Sequence, residues 1–512
     1  MAQPNILFII TDQQRADHTG FGGNPVVKTP HLDAIAATGV HYEHAYVANS
    51  ICTPNRCSII TGRVPSAHGA ATNGISLDWY ANTFVRRLKE AGYKTGIVGK
   101  AHLQDWGDLP PPFENEVLLP ASRRSSINEY PPEWNTLEQR ARHRRERVEF
   151  PDDFYGFSHA DLVVGHSDCC TGHYEHWLKD KGFDPADLLG VMRPDSPSLA
   201  TYDKWWQVRK PRLPEELYPS RYIAEKSIDY VKAQAAAENP FFLQVSFPDP
   251  HHPFTPPGQY WDRYRPEDMP LPATYSDRHE SSTWLARAHA NRRGNPEQPV
   301  LPFGPDEDQL RHALAAQYGM ITLIDDCIGD IVQALDELDL RKDTIIVFTS
   351  DHGDMFGDHH IMLKGTLHYA GCIKVPLVIA DPSRSGSGNC EALVGSIDIA
   401  QTILELAGAA PYDGMQGKSL MPTLDDTNAA VHEALLIEDD YPNDILGTGM
   451  PTRMRTVVTK EARLTRYLGS DMGEFFDLAH DPHEMSNHFA ENTPAKQAMA
   501  DTLIDLMTIV SR

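Results

Sequence analysis

Four short runs of β-branched and aromatic residues, each followed at once by polar and charged ones, constrain this chain most. Asn5–Ile10 runs into Thr11-Asp12-Gln13, and Thr95–Val98 into Gly99-Lys100-Ala101-His102. Phe241–Phe247 runs into Pro248-Asp249-Pro250-His251-His252-Pro253-Phe254, and Thr344–Phe348 into Thr349-Ser350-Asp351-His352-Gly353-Asp354. Apolar runs this short read as strands buried on both faces. Amphipathic stretches lie between them, among them Thr83–Ala91, Arg221–Ala235 and Leu310–Leu338. The alternation predicts an α/β fold with a large, mostly parallel sheet sandwiched by helices. Such sheets bind ligands beyond the carboxyl ends of their strands. Four strand ends thus deliver Asp, Lys and His to one edge.

At 512 residues the chain exceeds one ordinary domain. We divide it into a large catalytic domain, residues 1–425, and a small C-terminal domain, residues 426–512. Ser396–Ala407 reads as a helix of the large domain. After Met421-Pro422 the chain turns polar, with short strand patterns at Ala434–Ile437, Arg453–Thr459 and Ala462–Tyr467 and a helix from Pro494 to Val510. Strands grouped before one helix predict a small antiparallel α+β unit. Asp105 to Arg212 and Pro256 to Pro305 show little periodicity. Long irregular stretches form lids, pocket walls or subunit contacts, so substrate selection is expected there, and a homo-oligomer stays open. Within the first, the basic run Arg140–Arg145 reads as a solvated helix face.

The net charge of -25 argues against a nucleic-acid partner, whose binding rests on Lys and Arg. It leaves room for a local basic pocket that holds an anion. The seven cysteines, with Cys169 and Cys170 adjacent, show no disulfide or Cys-x-x-Cys spacing. Reduced thiols in a cytoplasm are the expectation. Asn5–Ile10 is too short for a signal-peptide core and lacks a basic leader, and no segment is long enough to span a membrane. A soluble cytoplasmic protein without a membrane partner is expected.

Ser50 to Gly62 concentrates the unusual chemistry. Pro54 suits the first turn of a helix and Gly62 its end. Cys52 then sits at or just before a helix N-terminus, where free N–H groups and the dipole favour negative charge. Arg56, four residues on, reaches the same face. Together they make an anion site with a nucleophile in it. Alone, the stretch fits equally a small buried cysteine beside an arginine paired with an acid. Asp12 and Gln13 follow one strand, Asp351 and His352 another. Carboxylate, amide and imidazole ligands suit Ca²⁺ or Mn²⁺; a lone Asp there would also fit a helix N-cap. Lys100 and His102 alternate along an extended segment, so both face one way.

Cys52-x-Pro54-x-Arg56 resembles the signature at which the type I sulfatase family oxidises cysteine to Cα-formylglycine, with Asn55 where a small residue is usual. Gly92 to His102 resembles the family's second signature, with Ala101 where an aromatic residue is usual. Pro250-His251-His252-Pro253-Phe254 looks like its Pro-His-x-Pro-Phe segment. Gly357 to Thr366, followed by Val375 to Ile379, resembles a further segment. Glu474 to Leu478 and Asp481-Pro482-His483-Glu484-x-x-Asn487 resemble the tail. The resemblance spans nearly the whole chain outside the two irregular stretches. It implies an alkaline-phosphatase-like domain with one divalent metal on Asp12, Gln13, residue 52, Asp351 and His352. Ca²⁺ is the family's choice; Gln13, where many members carry Asp, and His352 also suit Mn²⁺. A formylglycine-generating enzyme is the implied maturation partner.

The family mechanism then implies the roles. Residue 52, as a hydrated formylglycine, presents a gem-diol. One hydroxyl, activated by Asp351 at the metal, attacks the sulfur of a small-molecule sulfate ester, with aryl sulfates foremost. Arg56, Lys100 and Lys364 compensate negative charge, and His251 and Lys364 assist the leaving oxygen. His102 takes the second hydroxyl's proton as sulfate is expelled. Asn73, in Ala71-Thr72-Asn73-Gly74, matches in spacing a substrate-lining asparagine of related phosphonate monoester hydrolases. Those hydrolases, which use the same formylglycine and metal, are the alternative reading. Lys100 and His102 favour a sulfatase, because Tyr and Thr are expected there in the phosphonate enzymes. Promiscuity toward phosphodiesters and phosphonates is expected. A non-catalytic anion- or metal-binding relative is the alternative of another class; it would survive Cys52→Ala, and a sulfatase would not.

Overall fold

The computed structural model describes residues 3–107, 129–294, 300–441 and 443–510. Parts of both aperiodic stretches, 108–128 and 295–299, lie outside the described residues. The large domain carries β1 (Asn5–Thr11), β2 (Val40–Tyr46), β3 (Lys94–Gly99), β4 (His159–Val164), β5 (Thr171–Gly172), β6 (Ala200–Thr201), β7 (Arg209–Lys210), β8 (Phe241–Ser246), β9 (Thr344–Ser350), β10 (Leu377–Ala380) and β11 (Gly388–Gly395). β6 and β7 pair only with each other, and the other nine form one sheet in the order β11-β2-β10-β9-β1-β8-β3-β4-β5. The middle run, β9-β1-β8-β3-β4, is parallel throughout. β10 and β5 run antiparallel to their neighbours. The sheet is thus mixed but mostly parallel, with helices on both faces.

β1 shows why. Ile6, Phe8 and Ile10 face one side, with Ile59, Ile60, Phe84 and Ile403 from the helices Cys52–Thr61, Phe84–Glu90 and Asp398–Leu406. Leu7 and Ile9 face the other, with Tyr222, Ile223 and Leu323 from Pro219–Gln234 and Glu307–Glu337. Alternate side chains of a strand point to opposite faces, so a continuous apolar run needs cover on both. Each fully buried side chain contributes roughly 1.5–3 kcal/mol. The 31-residue helix Glu307–Glu337 starts from a capping box in which Asp306 Oδ1 accepts from Gln309 N at 2.8 Å and Gln309 Oε1 from Asp306 N at 2.9 Å.

The C-terminal sheet is an antiparallel meander of β12 (Leu435–Tyr441), β13 (Thr452–Val458), β14 (Ala462–Tyr467) and β15 (Gly473–Asp477). Leu436, Val457, Leu464 and Phe475 pack on Met499 and Leu503 of the helix Pro494–Val510.

The described part of the stretch from Asp105 to Arg212 is more ordered than its composition suggests. It holds β4 and β5 of the main sheet and the helices Arg140–Arg145 and His173–Asp180. β4 opens on His-Ala-Asp, and only Leu162, Val163 and Val164 are buried, so its apolar run is too short to read. The second stretch holds the helix Trp284–Asn291. Among the described residues, no helix is long and apolar enough to cross a membrane.

Candidate active site

The five parallel strands release their chains at one edge. Asp12 and Gln13 follow β1, Lys100 follows β3, His166 lies just past β4, His251 follows β8, and Asp351 and His352 follow β9. Cys52 opens the helix Cys52–Thr61 beside them, and Gly62 ends it in the left-handed region with φ 62°. That helix is buried along its whole length.

Cys52 Sγ lies 3.1 Å from His352 Nε2, 3.2 Å from Lys364 Nζ and 3.8 Å from Asp12 Oδ1. Burial and the Asp12 charge push its thiol up, but Lys100, Lys364 and His352 outweigh them and leave it below its ordinary value. Arg56 is fully engaged. Its Nε donates to Asp351 Oδ2 at 2.7 Å and its Nη1 to Ser246 Oγ at 2.9 Å and to the Lys100 carbonyl at 3.0 Å. Its Nη2 reaches Asp12 Oδ2 at 3.4 Å. Asp351 Oδ1 accepts from Gln13 N at 3.1 Å. Burial would raise the Asp12 carboxyl, yet Lys100, Arg56 and Lys364 hold it well below the usual carboxylate range.

Asn55 does structural work that its place in the signature did not suggest. Its Oδ1 accepts from Ala48 N at 3.0 Å and Ser396 Oγ at 2.7 Å, and its Nδ2 donates to the Asp351 carbonyl at 2.5 Å. It ties the helix to β9.

Lys100 and His102 reach the site differently from the expected alternation. The chain after β3 is not extended: Gly99 has φ 105° and His102 φ 53°. A Cβ at Gly99 would lie 1.9 Å from the Ser246 carbonyl oxygen, so only glycine fits. The buried Glu138 carboxylate then accepts the backbone N–H groups of His102, Leu103 and Gln104 at 2.6, 2.9 and 3.0 Å and curls the loop. Lys100 Nζ pairs with Asp12 Oδ2. The His102 ring stacks on Trp106 at 3.9 Å. Burial, Lys100 and Arg56 hold His102 well below the ordinary histidine range, so it is neutral. Its Nδ1 has no partner among the described residues.

Lys364 Nζ stands 2.8 Å from Gln13 Oε1 and 2.8 Å from His352 Nε2. Asp12, Cys52, Asp351 and His352 offer ligand atoms all within 4.8 Å of one another. The Lys364 ammonium shows that this constellation accepts positive charge, and its oxygen and imidazole donors suit a hard or borderline divalent cation. Gln13 Nε2 is fixed by Asp354 Oδ2 at 2.5 Å and His252 Nδ1 at 3.1 Å, which turns its carbonyl oxygen toward Lys364.

His251 offers a ring nitrogen to a second group with Asp12, Cys52 and His166, again all within 4.8 Å. His252 faces Gln13 instead. Asn73 is exposed, and its Oδ1 accepts from Thr53 N at 3.1 Å. It caps the first turn of the Cys52 helix and borders the site through that turn. His359 holds Asp277 at 2.7 Å and His360 the Pro305 carbonyl at 2.8 Å. Sequence reading missed His166 and Glu138. His166 follows a strand whose apolar run is short, and Glu138 carries no local pattern.

The sequence profile of the sulfatase family ("Sulfatase") matches residues 4–409, and that of "N-sulphoglucosamine sulphohydrolase, C-terminal" matches 357–509. An arylsulfatase of Clostridium perfringens is 30% identical over 490 residues, 95% of this chain and 90% of that relative. The multifunctional alkaline phosphatase superfamily protein PehA of Trinickia caryophylli is 29% identical over 95% of this chain and 91% of its own length. The solved phosphonate monoester hydrolase of Agrobacterium radiobacter superposes with a TM-score of 0.79 at 23% identity, covering 99% of this chain and 96% of that one, and so shares the fold.

Proposed function

The chain belongs to the sulfatase family and is a hydrolase of sulfuric esters, and from that premise we propose that it acts on aryl sulfates through a formylglycine made from Cys52. The observation that carries this reading is the position of Cys52 Sγ. It lies at the mouth of a helix N-terminus, among Asp12, His352 and Lys364, with Arg56 behind it. An unmodified thiol would form a stable sulfo-adduct here. Residue 52 as a hydrated formylglycine supplies one oxygen for attack on sulfur and a second through which sulfate leaves.

A divalent cation, Ca²⁺ in our reading, would be held by Asp12, Gln13, Asp351 and His352, with residue 52 beside it, and would supply positive charge next to the sulfuryl oxygens. The protein's own groups do the rest. Arg56 fixes Asp351 and Asp12 in place. Lys100 and Lys364 face the transferred anion. His251 and Lys364 serve the leaving oxygen, and His102, whose Nδ1 has no partner among the described residues, takes the second hydroxyl's proton. Gln13 in place of a second carboxylate lowers the site's negative charge and favours anion binding, which supports side activity on phosphodiesters and phosphonates. We also place maturation with a formylglycine-generating enzyme in a reducing cytoplasm; seven buried, unpaired cysteines support that compartment.

The test is turnover of the matured enzyme on an aryl sulfate, a phosphonate monoester and a phosphodiester in parallel. We expect kcat/KM highest for the aryl sulfate. Highest kcat/KM for the phosphonate would make the second reading the primary one, and unchanged turnover by Cys52→Ala would contradict both.

A further inference from the structure

His166 stands at the strand edge without a role in the scheme above. His166 lies two residues past β4, after Gly165 at φ 112°. A Cβ on that glycine would meet the Cys169 carbonyl oxygen at 3.0 Å, so the turn stays tight and throws His166 toward the site. One of its ring nitrogens stands within 4.8 Å of Asp12 oxygen, Cys52 Sγ and a His251 nitrogen. The side chain is 16% exposed, so solvent reaches it.

We propose that His166 is a positioning residue for the two groups that meet the substrate, Lys100 and His251; this rests on the reading of the site given above. Toward Lys100, His166 Nε2 lies 3.0 Å from Nζ. An ammonium has only donors, so Nε2 accepts and the ring proton sits on Nδ1. Lys100 is thereby held between the Asp12 carboxylate and an uncharged acceptor, with the Trp106 ring 4.9 Å away. The imidazole fixes the ammonium without setting a second negative charge beside it. Toward His251, the two imidazoles stack with centroids 3.6 Å apart and planes 8° off parallel. The next residue completes the grip, because Ser167 Oγ donates to the His251 carbonyl at 2.8 Å. Ring and backbone of His251 are thus both held from the turn after β4, on the side away from His252, whose ring stacks on it at 4.1 Å and whose carbonyl meets its Nδ1. A displacement of about 1 Å at such a group can cost on the order of 100-fold in rate.

Two substitutions separate the two contacts. His166→Phe keeps a flat ring over His251 and removes the acceptor for Lys100. His166→Asn keeps an acceptor and removes the stack. The matured, metal-loaded enzyme is assayed on aryl sulfates of graded leaving-group pKa, and inorganic sulfate binding is followed by calorimetry. For His166→Phe we expect KM and the sulfate dissociation constant to rise about tenfold while kcat stays within about twofold. For His166→Asn we expect near-native KM, with kcat on the poorest leaving groups falling about 30-fold and a steeper leaving-group dependence. Kinetics and sulfate affinity within about twofold of the parent in both variants would overturn the proposal. So would equal losses in both, accompanied by a lower melting temperature, since that is the mark of a merely structural side chain. A parent enzyme that turns over no aryl sulfate would refute the substrate reading alone. The sulfate titration would still decide His166, because equal affinities of parent and His166→Phe refute its hold on Lys100.

Discussion

At Arg56 the guanidinium spreads its donors over Asp351, Ser246, the Lys100 carbonyl and Asp12. A planar fork can serve four acceptors from one place; a single ammonium cannot. Arg56→Lys should therefore retain charge and lose alignment. We expect kcat/KM to fall by about 100-fold or more, with most of the loss in kcat, because the misplaced groups serve the transition state. Steady-state kinetics on an aryl sulfate check this, and a loss under about fivefold would mean that charge alone suffices. Cys52, Arg56 and Lys100 were legible in the sequence because each sits in a short segment whose residue types and spacing carry chemistry, whereas His251 and Lys364 were singled out only by the resemblance of their segments to those of the sulfatase family. Asn55 and His166 were not. Their contacts come from Ser396 and Asp351 in one case and from Lys100 and His251 in the other. No local pattern encodes partners so distant along the chain.

The element that decides the site's shape is the loop after β3. Alternation along an extended strand would have sent Lys100 and His102 the same way; Gly99 and Glu138 curl the chain instead. Burial pushes the Glu138 carboxyl up to about 7, even though three backbone N–H groups and the Trp106 side chain favour its charged form. A carboxyl raised in the folded state binds its proton more tightly folded than unfolded. Its stabilising contribution is whole below the unfolded value near 4.5 and is lost as pH rises through about 7. Glu138→Gln removes that dependence. Its stability relative to the parent should improve between pH 5 and pH 8 by roughly 3 kcal/mol at most, read as melting temperature against pH. A constant difference across that range would show that Glu138 is ionised throughout. The four short runs that lead into the site were legible for the reason they fold, burial on both faces. β4 opens on a polar, partly exposed His-Ala-Asp, and β15 is a five-residue Gly-Glu-Phe-Phe-Asp run, so neither stood out.

Across the whole molecule, the C-terminal sheet is built against the catalytic edge. Asn49 Nδ2 donates to the Glu438 carbonyl at 2.6 Å, and Ser50 Oγ lies 3.5 Å from Asp439 Oδ2, just ahead of Cys52. The buried Arg463 joins Glu474 at 2.9 Å and Glu484 at 2.5 Å, and Glu484 accepts from Ala370 N at 2.8 Å, six residues beyond Lys364. Arg463→Met would strand two buried carboxylates, at a cost of roughly 3–5 kcal/mol. A lowered urea midpoint checks this; an unchanged midpoint would mean that the small sheet is not locked to the large one by this network. The grouping of strands before a final helix made the small unit legible, but its ion pairs join residues that only the folded chain brings together. The central claim remains that Cys52 is converted to the nucleophile. It is tested most directly by mass spectrometry of the proteolytic peptide carrying residue 52, taken from protein of known specific activity. The account predicts loss of the sulfur and an aldehyde that a hydrazine traps, in a fraction that rises with activity. A fully active preparation in which Cys52 is an intact thiol would contradict it.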